Sequence, residues 1–201
     1  LAQTYRDFEL VISDNASTDE TEGICRTYVR RDPRVRYLRN ETNIGAAPNY
    51  NRLLRMSASP YFKWTAHDDV LAPTYLERCI EVLDHQPLVV VCHTETIYID
   101  ENGSMCGTFD DRLDLRFSKP HERYRGYLFR PYPRCNAIFG VMRAGVLRET
   151  PLFGSYLSSD RVLLGELALR GEVYRVPEPL FFRRDHAYQA WKANPTRRLL
   201  E

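Results

Sequence analysis

Twice in the first half of this chain a strand-like stretch stops at an acid and helix-like sequence follows. Phe8 to Ser13 alternates Phe8, Leu10 and Ile12 against Glu9, Val11 and Ser13, the period of a largely buried strand, and stops at Asp14. Ser17 and Glu20 have capping-box spacing, which predicts a helix start there. Thr21, Ile24, Cys25, Tyr28 and Val29 then share one helical face, and Asp32-Pro33 ends it. Val35 to Leu38 reads as a second strand, Asn43 to Pro48 as a loop, and Asn49 to Met56 as a helix with Tyr50, Leu53 and Leu54 inward. Tyr61 to Ala66 reads as a third strand that runs into His67, Asp68 and Asp69. Pro73 suits the first turn of a further helix, with Leu76, Cys79, Ile80 and Leu83 on its apolar face. Leu88 to Ile99 is β-rich and ends in Asp100-Glu101-Asn102-Gly103, a hairpin signal.

Strands alternating with helices at this spacing predict an α/β fold: a mixed, mainly parallel sheet with helices on both faces. Such sheets bind ligands at the carboxyl ends of their strands, where Asp14 and the Asp68-Asp69 pair both fall. The second half is less regular. Residues 104–134 are rich in Arg, Tyr and Pro and read as an irregular or partly helical excursion on the acceptor side, carrying Arg112, Arg116, Arg123, Arg125, Arg130 and Arg134. Asn136 to Val146 is apolar and is expected to return to the sheet. Ser158, Ser159 and Asp160 precede a helix with Val162, Leu163, Leu167 and Ala168, closed by Gly171. Val173 to Arg183 reads as extended, broken by Pro177 and Pro179.

A chain of 201 residues is long enough for one domain with a substantial core. A net charge of +1 gives no field that would select nucleic acid or a membrane surface. No apolar run approaches the ~20 residues that cross a bilayer. The chain opens on Leu1 and carries no visible signal peptide, so it reads as a fragment. Its five cysteines (25, 79, 92, 106, 135) are odd in number and lack zinc-type spacing, which favours a reduced, cytosolic setting. Phosphate loops of the Gly-x-x-x-x-Gly-Lys kind, Gly-x-Ser-x-Gly elbows and Gly-rich dinucleotide fingerprints are all missing.

Each candidate residue has two readings. Asp68 and Asp69 suit a hard divalent cation carried by phosphates, which takes one or two carboxylates from protein. They also suit a helix N-terminus, where acids cap and meet the dipole. Asp14 and Asn15 suit a cap or a nucleotide contact. The Asn43-Ile44-Gly45 loop, with Asn49 and Asn51 after it, can brace its own turn or touch ligand. Asp160 is a cap or a general base toward an acceptor hydroxyl. His186, behind Arg183-Arg184-Asp185, is a structural histidine or part of a segment that closes over a diphosphate.

Their order along the chain resembles one family. Leu1 to Asp19, then Asn43-Ile44-Gly45, Asn49-Tyr50-Asn51 and His67-Asp68-Asp69, are similar in sequence and order to glycosyltransferase family 2, which has the GT-A fold. Residues 1–103 carry most of the likeness; Ser159-Asp160 and the Arg-Arg-Asp-His stretch extend it more weakly.

The resemblance implies a nucleotide-sugar donor, a hydroxyl acceptor, Mg²⁺ or Mn²⁺, and inversion at the anomeric carbon. It places Asp14, Asn15, Gly45, Asn51, His67 and Asp68 on the donor, Asp69 and His186 on the metal, and Asp160 as catalytic base. His67 stands where the family's Asp-x-Asp motif has its first acid. The resemblance also implies a single domain, with residues 1–103 as the donor half and 104–201 as the acceptor half. It implies work on polysaccharide or glycolipid in the cytoplasm or at the inner membrane face. Family members begin with a strand and helix upstream of the point where this chain starts, so these 201 residues alone are expected to fold poorly or bind donor weakly. A non-catalytic nucleotide-sugar-binding module and a sugar nucleotidyltransferase are the competing readings.

Overall fold

A computed structural model describes residues 1–109, 112–129 and 135–186. Arg130 and Arg134 of the expected excursion lie outside them. The elements follow as β1 (Leu10–Asp14), α1 (Thr21–Arg31), β2 (Val35–Arg39), α2 (Ala46–Met56), β3 (Tyr61–Phe62), β4 (Val70–Leu71) and α3 (Tyr75–His85). Then come β5 (Val89–Ile99), β6 (Met105–Phe109), α4 (Pro120–Leu128), a 3-10 turn (Asn136–Phe139), β7 (Val141–Arg143), α5 (Ala144–Arg148), α6 (Ser159–Arg170) and β8 (Glu172–Arg184).

The described strands form a two-stranded sheet, β1-β2, and a six-stranded one in the order β3-β7-β5-β8-β4, with β6 paired on β5. The sheets are mixed. The two longest ladders, β1–β2 and β5–β8, are parallel, and the shorter pairings are antiparallel. Two apolar clusters flank the larger sheet. One joins Leu54, Trp64, Val91, Met142, Leu147, Leu163 and Leu167, which come from α2, the stretch after β3, β5, β7, α5 and α6. The other joins Tyr75, Cys79 and Leu83 of α3 to Val89, Cys92, Val141 and Phe181. Helices therefore cover both faces, as the strand–helix alternation predicts.

Several local expectations change. Ser17 and Glu20 form no capping box. The Asp14 carboxylate takes the Ser17 N–H at 2.8 Å, and Asp19 takes both the N–H and the hydroxyl of Thr21. A buried acid at a strand end takes the Ser17 N–H that the Glu20 carboxylate would accept in a capping box. The third strand stops at Phe62 because its partner β7 is only three residues long. β8 is not broken at its prolines. Its register against β5 jumps from Thr94–Val176 to Glu95–Pro179, so the extra residues bulge out where proline has no N–H to offer. The Asp100–Gly103 hairpin forms as expected. Asp100 Oδ1 accepts the N–H groups of Asn102 and Ser104, and Gly103 takes the φ of +85° that the turn needs. All five cysteines are free thiols. Among the described residues no helix is long and apolar enough to cross a membrane.

Candidate active site

The acids Asp68 and Asp69 do not cap a helix. β4 separates them from α3, whose N-cap is Thr74. They lie instead against the carboxyl end of β8. The Arg184 N–H donates to Asp69 Oδ1 at 3.0 Å, and the Arg184 Nε donates to the Asp68 carbonyl at 3.1 Å. Arg184 Nη1 reaches the Asp100 carbonyl at 2.7 Å, which ties the acids to the β5–β6 turn. His186 Nε2 sits 2.9 Å from Asp68 Oδ2. The structure thus brings Asp68 to His186, 118 positions away, and Asp69 to Arg184, 115 positions away. His67 faces solvent.

Burial raises the Asp69 pKa above 3.8; the Arg184 N–H opposes this, the Asp68 charge adds to it, and Arg183 and Lys63 pull the other way. Beneath the pair, the Lys63 ammonium is turned inward although the residue as a whole is only partly buried. It donates to the carbonyls of Phe139 and Trp64 and lies over the rings of Tyr75 (4.8 Å) and Phe181 (5.5 Å). Burial brings its pKa down to about 8. Burial likewise raises the Tyr50 phenol, and the charges of Asp68 and Asp69 raise it further.

A second polar cluster forms where β1 and β2 end. Asp14 is 4% exposed and accepts the Tyr37 hydroxyl at 2.5 Å, with Arg39 at 3.8 Å. Burial raises its pKa, but the bonds from Ser17 and Tyr37 and the Arg39 charge more than offset this and leave it below 3.8. Burial and the bond to Asp14 push the Tyr37 phenol up to about 12. Beside them, Asn40 Nδ2 is shared between Asn15 Oδ1 and Asn49 Oδ1, both at 2.9 Å, and Arg52 donates to Asn40 Oδ1. Ser13 Oγ donates to Asn49 Oδ1 at 2.7 Å. Asn15 also clamps the next loop, giving Nδ2 to Asn43 and taking the Ile44 N–H at 3.0 Å. Gly45, at φ +85°, closes that loop onto Asn43 Oδ1. Tyr37 and Asn40 were not singled out in the sequence. Tyr37 had a signal: it sits in register with Ile12, so parallel pairing puts it on the Asp14 face.

Tyr37→Phe is predicted to move acid unfolding to higher pH. The folded pKa of Asp14 lies below its ordinary 3.8, so its stabilisation is complete above that value and lost as pH falls through the folded one. Removing the phenol narrows that gap. Urea midpoints measured from about pH 3 to 7 read the shift, and an unchanged acid limb refutes it.

Asn51 is not part of the amide cluster. It is 7% exposed and bonds the backbone of Phe153. Asp160 is the second residue of α6, half-buried, with Oδ1 accepting the Arg161 N–H at 2.9 Å. It makes no hydrogen bond to the Asp68–Asp69 pair. Among the described residues no group of three or more His, Cys, Asp or Glu side chains is placed to hold a metal ion. A cation carried by phosphate needs only one or two protein carboxylates, and two adjacent carboxylates, one held above its usual pKa by burial, fit that need.

These features meet a family assignment. The sequence profile described as Glycosyl transferase family 2 matches residues 1–150, and the chain belongs to this family. An uncharacterized glycosyltransferase of Rickettsia prowazekii is 33% identical over 122 residues, covering 59% of this chain and 36% of its own length. An uncharacterized protein of Mycobacterium tuberculosis is 28% identical over 199 residues, covering 94% of this chain and 54% of its own. The chain thus spans about half or less of these relatives. Among solved structures, Staphylococcus aureus TarS 1–349 in complex with UDP-GlcNAc superimposes with a TM-score of 0.74 at 16% identity, over 96% of this chain and 54% of that one. The mannosyltransferase PcManGT of Pyrobaculum calidifontis, in complex with GDP-Man and Mn²⁺, superimposes with a TM-score of 0.63 at 16% identity, over 90% of this chain and 50% of that one. The fold is that of the GT-A glycosyltransferases.

Proposed function

We propose that the protein transfers a sugar from a nucleotide-sugar donor to a hydroxyl acceptor, with Mg²⁺ or Mn²⁺ and with inversion at the anomeric carbon. The juxtaposition of Asp68, Asp69 and His186 at the carboxyl end of β8 carries this reading. Residues 1–103 form the donor half and 104–201 the acceptor half. Asp14 and the Asn15–Asn43–Gly45 loop hold the nucleoside, and Asp69 with His186 holds the metal. Bound there, the metal supplies positive charge to the departing diphosphate. Asp68 keeps His186 oriented. Arg183, whose charge acts on Asp69, adds a cation at the same end of the strand. Asp160 takes the proton from the acceptor hydroxyl as it attacks the anomeric carbon from the side opposite the leaving nucleotide. The transition state is oxocarbenium-like, as in glycoside hydrolysis. The products are a glycoside in polysaccharide or glycolipid and a nucleoside diphosphate. The five free thiols support a reducing compartment, the cytoplasm or the inner membrane face.

Thermal shifts of the full-length protein with UDP, GDP, UDP-GlcNAc and GDP-Man, each with and without Mn²⁺, test the donor and metal sites together. A true ligand at about 100 times its Kd adds about 2.7 kcal/mol of stability, and the shift is expected to need Mn²⁺. No stabilisation by any of the four rejects the reading.

A further inference from the structure

Asn51, expected on the donor, is engaged elsewhere. Its Nδ2 donates to the Phe153 carbonyl at 2.8 Å, and its Oδ1 accepts the Phe153 N–H at 3.1 Å. A carboxamide is the one short side chain that both donates and accepts in a plane, so it can grip both polar groups of a single backbone residue. Phe153 lies midway along the segment joining α5 to α6. That segment holds two non-glycine residues at left-handed φ, Leu152 at +63° and Ser158 at +59°. Such conformations persist only where the surroundings hold them. The Phe153 ring is held too, with centroids 5.5 Å from Tyr50 and 4.7 Å from Trp64. Trp64 Nε1 in turn donates to the Tyr50 carbonyl at 3.0 Å. Tyr50 is the phenol that feels the charges of Asp68 and Asp69. Ring packing fixes how deep Phe153 sits, and the two amide bonds fix how its backbone is turned. Seven residues after Phe153 comes Asp160.

We propose that Asn51 is a positioning residue, whose two-point grip on Phe153 sets the segment that delivers Asp160 to the donor half. The proposal rests on Asp160 acting as base. A reacting group displaced by about 1 Å can lose about 10²-fold in rate, and nothing else on this segment makes a paired bond to α2.

The test uses Asn51→Ala and Asn51→Asp in the full-length protein, with whichever of UDP-GlcNAc and GDP-Man gives the larger Mn²⁺-dependent thermal shift, and reads turnover as nucleoside diphosphate released when water takes the sugar. Asn51→Asp keeps an acceptor for the Phe153 N–H but turns an ionised oxygen toward the Phe153 carbonyl. Both variants are expected to lose about 10²-fold in kcat, with KM and nucleotide affinity within about twofold of the parent. Amide exchange is expected to speed up over residues 151–160 and to stay unchanged along β8. A rise in KM with kcat retained would make Asn51 a donor contact and overturn the proposal. Unchanged kcat beside a loosened Phe153 amide would make the grip purely structural and also overturn it. If the parent protein turns over neither sugar nucleotide, the transferase reading fails first. Exchange then judges the grip by itself, and an unprotected Phe153 amide in the parent refutes it.

Discussion

Asp160→Asn in the full-length protein is predicted to lower kcat for sugar transfer by about 10²–10⁴-fold, with nucleotide affinity unchanged within about twofold. The substitution keeps the size of the side chain and an oxygen for the Arg161 N–H, so α6 has no reason to unravel. What it removes is the ability to accept a full proton. Asp160 is half-buried in the first turn of α6, a helix of twelve residues. Its place at the end of a segment gripped by Asn51 makes its position a property of the tertiary fold rather than of the loop. Isothermal titration with nucleotide in parallel with initial-rate measurements separates chemistry from binding. Transfer at the parental rate would remove Asp160 from the mechanism.

Asp69→Ala is predicted to lose about 10³-fold or more in turnover, the size expected when several kcal/mol of transition-state charge stabilisation disappear. It should also abolish the Mn²⁺-dependent part of nucleotide stabilisation. The free protein should not suffer in proportion. Removing this carboxylate leaves the Arg184 N–H without its acceptor, but it also relieves a buried acid that stands beside the like charge of Asp68. Folding stability and catalysis therefore separate in this variant. Circular dichroism melts of the free protein and thermal shifts with nucleotide and Mn²⁺ read the two quantities. A variant that melts early and still shows the metal-dependent shift would mean that Asp69 is structural and that the cation is held elsewhere.

The parts of this molecule that depend on near neighbours were legible from the sequence. The hairpin at Asp100–Gly103 needs only its own side chain and one glycine, and it forms as read. The helices carrying Leu54, Cys79 and Leu167 follow from the spacing of their apolar residues. The capping box at Ser17 failed because its donor had a better partner in Asp14, which packing alone brings into reach. The same limit separates Asn49 from Asn51. The two residues are two positions apart in α2, about 200° around the helix, and Asn49 braces Ser13 and Asn40 while Asn51 holds Phe153, 102 positions away. The helical period separates their faces, but nothing local names either partner. Nothing near Lys63 in the sequence marks its inward turn, which rests on the rings of Tyr75 and Phe181 and the carbonyls of Trp64 and Phe139. Likewise, the meeting of Asp68 with His186 follows from β4 pairing antiparallel with β8.

The two sides of the site differ in how firmly they are built. Asp69 receives its hydrogen bond from the last residue of β8, whose ladder with β5 is the longest in the molecule. Opening that side means unzipping the middle of the domain. Asp160 follows an irregular segment with left-handed residues at Leu152 and Ser158, held by the buried Leu152 side chain, the Phe153 ring, the Asn51 carboxamide and Arg170 Nη2 on the Glu149 carbonyl. Irregular segments outside any strand ladder open at lower free energy than core strands. The donor side is thus the anvil of the site and the base side its hinge. Breathing of the domain is expected to reach residues 149–158 before it reaches Asp68 and Asp69.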